Sequence, residues 1–306
     1  CGLRIENLTT RRFTISGTGR HFERLRVRTP ESDARLTYLY FDYPTWKSYG
    51  DFLHRVDIRA EFSRSQVDFR TIAYFAQGLR DWHSVLRDAS GTVSGPVAAM
   101  RGSIGEVTLR DTKLGLRFAI DGLPDVKRTR FVFDVTSLET NAADVEYILQ
   151  DIARTSLGEK LPMFERAGRI GFSGRFDGLL SDFTASGDLE TDLGRAAVRF
   201  NVKPSEQAAT AFEGSLETVD FETGRLLGSR KIGRVSLGAD VTGVFGQTFG
   251  MQARARIPKL EFNGYAYGDL ALDGKFENRK FTGNIASADP NIAFDFNGDL
   301  DFSDSL

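Results

Sequence analysis

Cysteine is almost missing from this chain. Cys1 is the only one in 306 residues, so no internal disulfide can form and cysteine usage leaves no mark of the compartment. Histidine is nearly as scarce: His21, His54 and His83 stand far apart, with no cysteine or histidine at metal-ligand spacing, which argues against a zinc centre and leaves no metal expected. An excess of charge is missing too. Forty Lys and Arg face 42 Asp and Glu for a net charge of −2, and the arginines are spread along the chain, so the broad basic field that nucleic acid requires is absent and no nucleic-acid partner is expected. No apolar run approaches the roughly 18 residues of a membrane-spanning helix, and no charged-then-apolar leader opens the chain. Position 1 is Cys rather than Met; a lipidated Cys1 left by processing is one reading, and an interior piece of a longer chain is the preferred one. Pro-, Ser- or charge-rich linkers are lacking as well, which points to one continuous body over 1–306.

Catalytic patterns are equally thin. Gly17-x-Gly19 and Gly171-x-x-Gly174 lack the strand-to-helix setting of a phosphate loop, and Ser173 lacks the spacing of a nucleophile elbow. Asp295-x-Asn297-x-Asp299 begins like a calcium loop, but Leu300 stands where Gly is needed and Leu306 where Glu is needed. These carboxylates read better as the wet side of a strand. No enzyme activity and no cofactor are expected.

What the chain has is phenylalanine and glycine, 25 and 31 residues, a composition suited to many strands with tight turns. The dominant pattern is apolar–polar alternation, the period of a strand with one face in water. It starts at Leu3 and Ile5, continues through Phe13 and Ile15 and through Leu25 and Val27, and reaches Leu36, Tyr38 and Tyr40. A helical turn is expected over Tyr49 to His54. Strands resume around Val56, Ile58 and Phe62, with another at Val67 and Phe69. From Ile72 to Leu86 the apolar spacing becomes roughly helical and predicts one broken helix. Strands follow around Val93, around Val107 and Leu109, from Leu114 to Ile120 and from Phe131 to Val135, the last two joined by a turn at Gly122-Leu-Pro124-Asp125. Asn141 with Asp144 reads as an N-cap and its acidic N3 residue. Val145, Ile148, Leu149 and Ile152 then fall at i, i+3, i+4 and i+7, the strongest helix signal in the chain, with an apolar face suited to capping a sheet. Pro162 marks the end of the following loop.

The pattern thus divides at about residue 165 into looser β structure with helical insertions and, over 166–306, regular strand repeats. In that second part a set of apolar residues is expected to line one common concave face. It comprises Phe172 and Phe176; Leu189; Val198 and Phe200; Phe212 and Leu216; Val235, Leu237 and Val241; Leu260 and Phe262; Leu272 and Phe276; Phe281 and Ile285; and finally Ile292, Phe294, Phe296, Leu300 and Phe302. A turn centred on Asn278-Arg279, of two residues or somewhat longer, would pair Glu277 with Lys280, Phe276 with Phe281, Gly274 with Gly283 and Leu272 with Ile285. So much apolar sheet must roll onto itself or hold something apolar.

The stretches L-E-F-N-G-Y-A-Y-G-D-L-A-L-D-G-K-F from Leu260, F-T-G-N-I from Phe281 and D-P-N-I-A-F-D-F-N-G-D-L-D-F from Asp289 resemble repeats of the TamB branch of the AsmA-like envelope proteins. I-A-Y-F-A from Ile72, G-T-V-S-G-P from Gly91, D-G-L-P-D from Asp121 and G-R-L-L-G-S-R-K-I-G-R-V-S-L from Gly224 follow in the same order. The resemblance implies a mainly antiparallel sheet curled into an open, taco-like groove with an apolar interior, in the periplasm of double-membrane bacteria. It implies a non-enzymatic conduit for phospholipid between inner and outer membranes, with a role proposed in outer-membrane protein assembly. An inner-membrane anchor and a domain meeting an outer-membrane barrel partner would lie in parts of the protein not present here. Two other readings stand beside it: a structural or adhesive β-solenoid with a closed core, and a polysaccharide-acting β-helix enzyme. The solenoid calls for stacked parallel coils of constant length, and the enzyme for a cluster of Asp, Arg or Lys at neighbouring positions on one outer face.

Overall fold

A computed structural model describes residues 4–72, 82–153, 156–205, 209–245, 249–277 and 280–301. They form two compact units, Cys1–Gly158 and Glu159–Leu306. Both are mainly β and built on the same plan.

The first unit holds β1 (Asn7–Thr9), β2 (Arg12–Ile15), β3 (Gly19–Arg28), β4 (Asp33–Asp42), β5 (Asp57–Asp68), β6 (Val85–Gly95), β7 (Ala99–Leu109), β8 (Thr112–Asp121) and β9 (Arg130–Thr140). The short β1 and β2 both lie along β3, and from there each strand pairs antiparallel with the next. The second unit is a meander of β10 (Ile170–Leu179), β11 (Asp182–Thr191), β12 (Gly194–Lys203), β13 (Thr210–Phe221), β14 (Ile232–Phe245), β15 (Gly250–Phe262), β16 (Tyr265–Glu277), β17 (Lys280–Ala288) and β18 (Ala293–Asp301). Here too every consecutive pair is antiparallel. Hairpins, not the parallel coils of a solenoid or β-helix, are therefore the unit of construction.

Among the described residues the α-helices are short and lie in strand connections: α1 (Phe52–Arg55), α2 (Phe69–Ile72), α3 (Ala142–Ile148), α4 (Leu161–Ala167) and α5 (Thr223–Leu227). A 3₁₀ turn at Trp46–Asp51 leads into α1, close to the expected helical turn. In α3, Asn141 caps as expected, its side chain accepting the Asp144 N–H at 3.0 Å.

The expected hairpin register is found in full, with Phe276 opposite Phe281, Glu277 opposite Lys280, Gly274 opposite Gly283 and Leu272 opposite Ile285. Its turn, Asn278-Arg279, lies outside the described residues. Several expectations need correction. Val85 and Leu86 belong to β6, where they pair with Asp68 and Val67, so the helix expected to run to Leu86 does not reach it; residues 73–81 lie outside the described set. Val67 is not a separate strand but the end of β5, which a bulge around Arg64 carries past the break in alternation, and Phe69 starts α2. Ile5 precedes β1, and Leu3 is outside the described residues. Pro162 sits inside the first turn of α4 rather than closing a loop, a position where its missing N–H costs nothing. Ile292 lies in the turn before β18. Tyr38 and Tyr40 leave the face of Leu36, because the ladder shifts between Leu36 and Tyr38.

Candidate functional site

Directly opposite residues of an antiparallel pair share a face, so the registers trace rows across each unit. In the second unit one row runs Phe176, Ala185, Phe200, Gly214, Val241, Ala253, Gly274, Gly283, Gly298. The next row on that face runs Gly174, Gly187, Val198, Leu216, Ala239, Ala255, Leu272, Ile285, Phe296. A third runs Gly178, Phe183, Val202, Phe212, Gly243, Met251, Phe276, Phe281, Leu300. Nine strands contribute to each row, and none contributes a charge or a hydroxyl. The row between the first two, on the opposite face, is Arg175, Ser186, Arg199, Ser215, Asp240, Arg254, Asp273, Asn284, Asn297. It is polar throughout.

Phe172 and Leu189 extend the apolar face by a further row through Ala196 and Thr218 to Leu237, and Phe294 joins it opposite Ser287. Val235, Leu260 and Phe262 reach the same face by a less regular route. Leu260 is three residues beyond Ile257, so strict alternation would turn it outward; the ladder shift between Ser236 and Gly238, which leaves Pro258 without a partner beside Leu237, restores it, and Leu260 pairs with Val235 and Phe262 with Ile232. The expected lining residues in the described strands thus share one face. Ile292 lies beside it in a turn, and Phe302 is outside the described residues.

The rings on this face lie down rather than stand up, because glycines make room for them. A methyl at Gly214 would come 2.7 Å from the Phe200 ring, one at Gly187 2.8 Å from Phe172 and one at Gly243 2.9 Å from Phe212, while one at Gly274 would overlap Phe281. Phe281 is fully buried as a result, with Phe276 at 4.9 Å between ring centroids. Sequence reasoning followed the phenylalanines and overlooked their glycine seats. The recurrent Phe-x-Gly spacing at Phe172–Gly174, Phe212–Gly214, Phe281–Gly283 and Phe296–Gly298 is the signal that marks this face.

The first unit carries the same arrangement, which the sequence analysis assigned only to the second. One row is Phe13, Phe22, Leu39, Ala60, Val93, Gly102, Phe118, Phe133. Another is Leu25, Leu36, Phe62, Gly91, Ile104, Leu116, Val135. Between them on the other face lie Arg12, Glu23, Tyr38, Glu61, Thr92, Ser103, Arg117 and Asp134. Phe22 and Leu25 share a face although three residues apart, since Arg24 bulges out with φ +51°.

Most of the apolar side chains are half-buried rather than sealed. The chain exposes 18934 Å², whereas two compact bodies, each with half of its mass, would expose roughly 15,000 Å² between them. The opposite face is held by cross-strand polar pairs, among them Arg195–Glu190 at 2.7 Å, Arg254–Asp273 at 2.9 Å and Lys280–Asp299 at 2.9 Å. Asp295 and Asp299 of the calcium-like motif belong here, bonded to Asn284 and to Thr282 and Lys280.

Carboxylates pin the strand connections. Asp144, 1% exposed, accepts the Asp111 N–H and the Thr112 hydroxyl, both at 2.9 Å, and tethers α3 to the β7–β8 turn; Arg110 Nε lies 3.1 Å from its other oxygen. Asp151 accepts the backbone N–H groups of His83 and Ser84 and the Ser84 hydroxyl. Burial pushes its pKa up, but these donors outweigh it and hold the carboxyl below the usual range. Asp68 behaves likewise, burial being outweighed by three bonds from Arg70. Asp289 accepts from the N–H groups of Asn291 and Gly268 and from Tyr265 Oη, each at 2.9 Å, and the Asn291 bond is the largest cause of its lowered pKa. Asp68, Asp151 and Asp289 are well supplied with donors, which suits fastening rather than proton transfer. His21 and His54 pair with Asp42 and Asp51 at 2.6 Å. Among the described residues no three His, Cys, Asp or Glu side chains come together as a metal site, and no helix is long and apolar enough to cross a membrane.

Comparison of the chain with protein-family models, with curated proteins and with solved structures finds no match.

Proposed function

We propose that the chain is a non-enzymatic lipid-carrying segment in which phospholipid acyl chains lie along an apolar groove, as the resemblance to the TamB branch implies. The observation that carries the reading is the uninterrupted apolar row: three rows cross nine strands without a charge or a hydroxyl. An acyl chain gains about 0.8 kcal/mol per buried CH₂. Transfer also requires that no position hold the lipid much more strongly than the next, and a surface of Phe, Leu, Val, Ala and Gly without polar anchors meets that need. The glycine seats support the same function, since rings lying flat give a smooth wall along which a chain can slide. On this reading the apolar face is the groove interior, the polar face meets water, and headgroups stay at the groove opening.

The resemblance further places such a segment in the periplasm between inner and outer membranes, with an outer-membrane barrel partner reached through other parts of the protein. Assistance to outer-membrane protein assembly is the accompanying role. The antiparallel hairpins favour this reading over the solenoid and the β-helix enzyme. Organic extraction of the purified, folded protein followed by mass spectrometry tests it. Co-purifying phospholipid is the expected result; folded protein that carries no lipid from a lipid-replete source contradicts it.

A further inference from the structure

We propose that a cleft on the polar face of the first unit binds a phosphate group, as a soluble phosphate ester or as the headgroup of an anionic lipid surface. The cleft has a volume of about 220 Å³ and is lined by Asp33, Arg35, Arg64, Gln66, Arg87 and Asp88, from β4, β5 and β6. It faces away from the apolar rows: Arg35 follows Ala34 and precedes Leu36, and it stands opposite Arg26, while Leu36 stands opposite Leu25. The inference is therefore independent of the lipid-carrying reading.

Charge is what singles this cleft out. Asp33 is already satisfied, taking two bonds from Arg26 at 2.7 and 2.6 Å and one from Arg35 at 3.0 Å. The Arg26 bonds are the main reason its carboxyl lies far below the usual range. Asp88 alone remains to balance Arg64 and Arg87, for which no ion pair is found among the described residues. In a chain of net charge −2, four guanidinium groups around two carboxylates form a local positive site.

The backbone is shaped to make it. Arg64 and Asp88 have φ of +43° and +52°, a left-handed conformation that non-glycine residues seldom adopt and that strands ordinarily avoid. Both fall at ladder shifts, between Phe62 and Ser65 in β5 and between Arg87 and Ser90 in β6. Such bulges re-aim side chains and recur beside functional sites. The forked guanidinium matches a phosphate oxygen pair, with two parallel N–H donors from each arginine.

The test is calorimetric titration of the full chain with inorganic phosphate and with glycerol phosphate, using chloride at matched ionic strength as the blank. Saturable binding is expected, and Arg64→Gln with Arg87→Gln should weaken it roughly tenfold or more. Without phosphate, the double variant should melt no lower than the parent, since it loses only uncompensated charge. Asp88→Asn should tighten binding, a change in the opposite direction that damage to the fold cannot mimic. Flotation with phosphatidylglycerol vesicles, compared with phosphatidylcholine alone, separates the sources: binding to vesicles only assigns the site to a lipid surface, and binding to glycerol phosphate assigns it to soluble esters. Binding to neither the phosphate esters above the chloride blank nor the vesicles, or Asp88→Asn without effect on whichever binding is seen, would overturn the proposal.

Discussion

At the scale of single residues, the apolar face is a matter of phenylalanines fitted over glycines. Gly274→Ala should destabilise the chain by about 1–3 kcal/mol, because the new methyl meets the Phe281 ring and the Thr282 carbonyl and a packed core resists overfilling. Gly238→Ala has open space around its new methyl and should be neutral or stabilising by up to about 1 kcal/mol. Urea midpoints of the two variants check the contrast, and equal losses would contradict it. The phenylalanines were legible in the sequence because the two-residue period is a property of the strand itself. Most glycine seats were not, since Gly214 and Gly243 become neighbours of Phe200 and Phe212 only through pairing with another strand. Phe172 and Phe296 are the exceptions, each near the glycine two positions on.

At the scale of elements, the hairpin of β16 and β17 was readable to the residue, because four cross-strand pairs agree in character and fix one register. Bulges were what hid the rest. An extra residue reverses the parity of everything beyond it, so Tyr38 and Tyr40 were assigned to the wrong face, and Leu260 keeps its face only through the shift at Pro258. The expected helix was carried too far because Val85 and Leu86, adjacent apolar residues at the start of β6, do not alternate and so give no sign of the strand that begins there. The connections make a prediction about acid. The carboxyls of Asp68 and Asp151 lie below the usual range in the folded chain, so their bonds stabilise fully above the ordinary carboxylate pKa of about 4, and this stability is lost as pH falls from there through the folded values. Asp68→Asn and Asp151→Asn should each lower the melting temperature at pH 7, with the deficit shrinking steadily below pH of about 4. A deficit that stays constant from pH 7 to pH 3 would show that the bonds do not depend on the charge.

At the scale of the whole molecule, both units repeat one plan: antiparallel strands, an apolar face, a polar face and short helices in the connections. Phe294, 40% exposed and opposite Ser287, is a lining residue that can change without a large loss of packing. Phe294→Arg should lower lipid transfer between vesicles at least about tenfold, a desolvated charge being costly to an acyl chain, while the melting temperature changes little. The central claim, that lipid follows the apolar rows, is tested most directly by a photo-crosslinking amino acid placed on alternate residues. Val198, Leu272 and Leu39 lie in the apolar rows, and their chain neighbours Arg199, Asp273 and Tyr38 lie in the polar ones. Phospholipid adducts at the first three positions and none at the second three are the predicted result, whereas adducts of equal yield on both faces, or none on the apolar face, would contradict it.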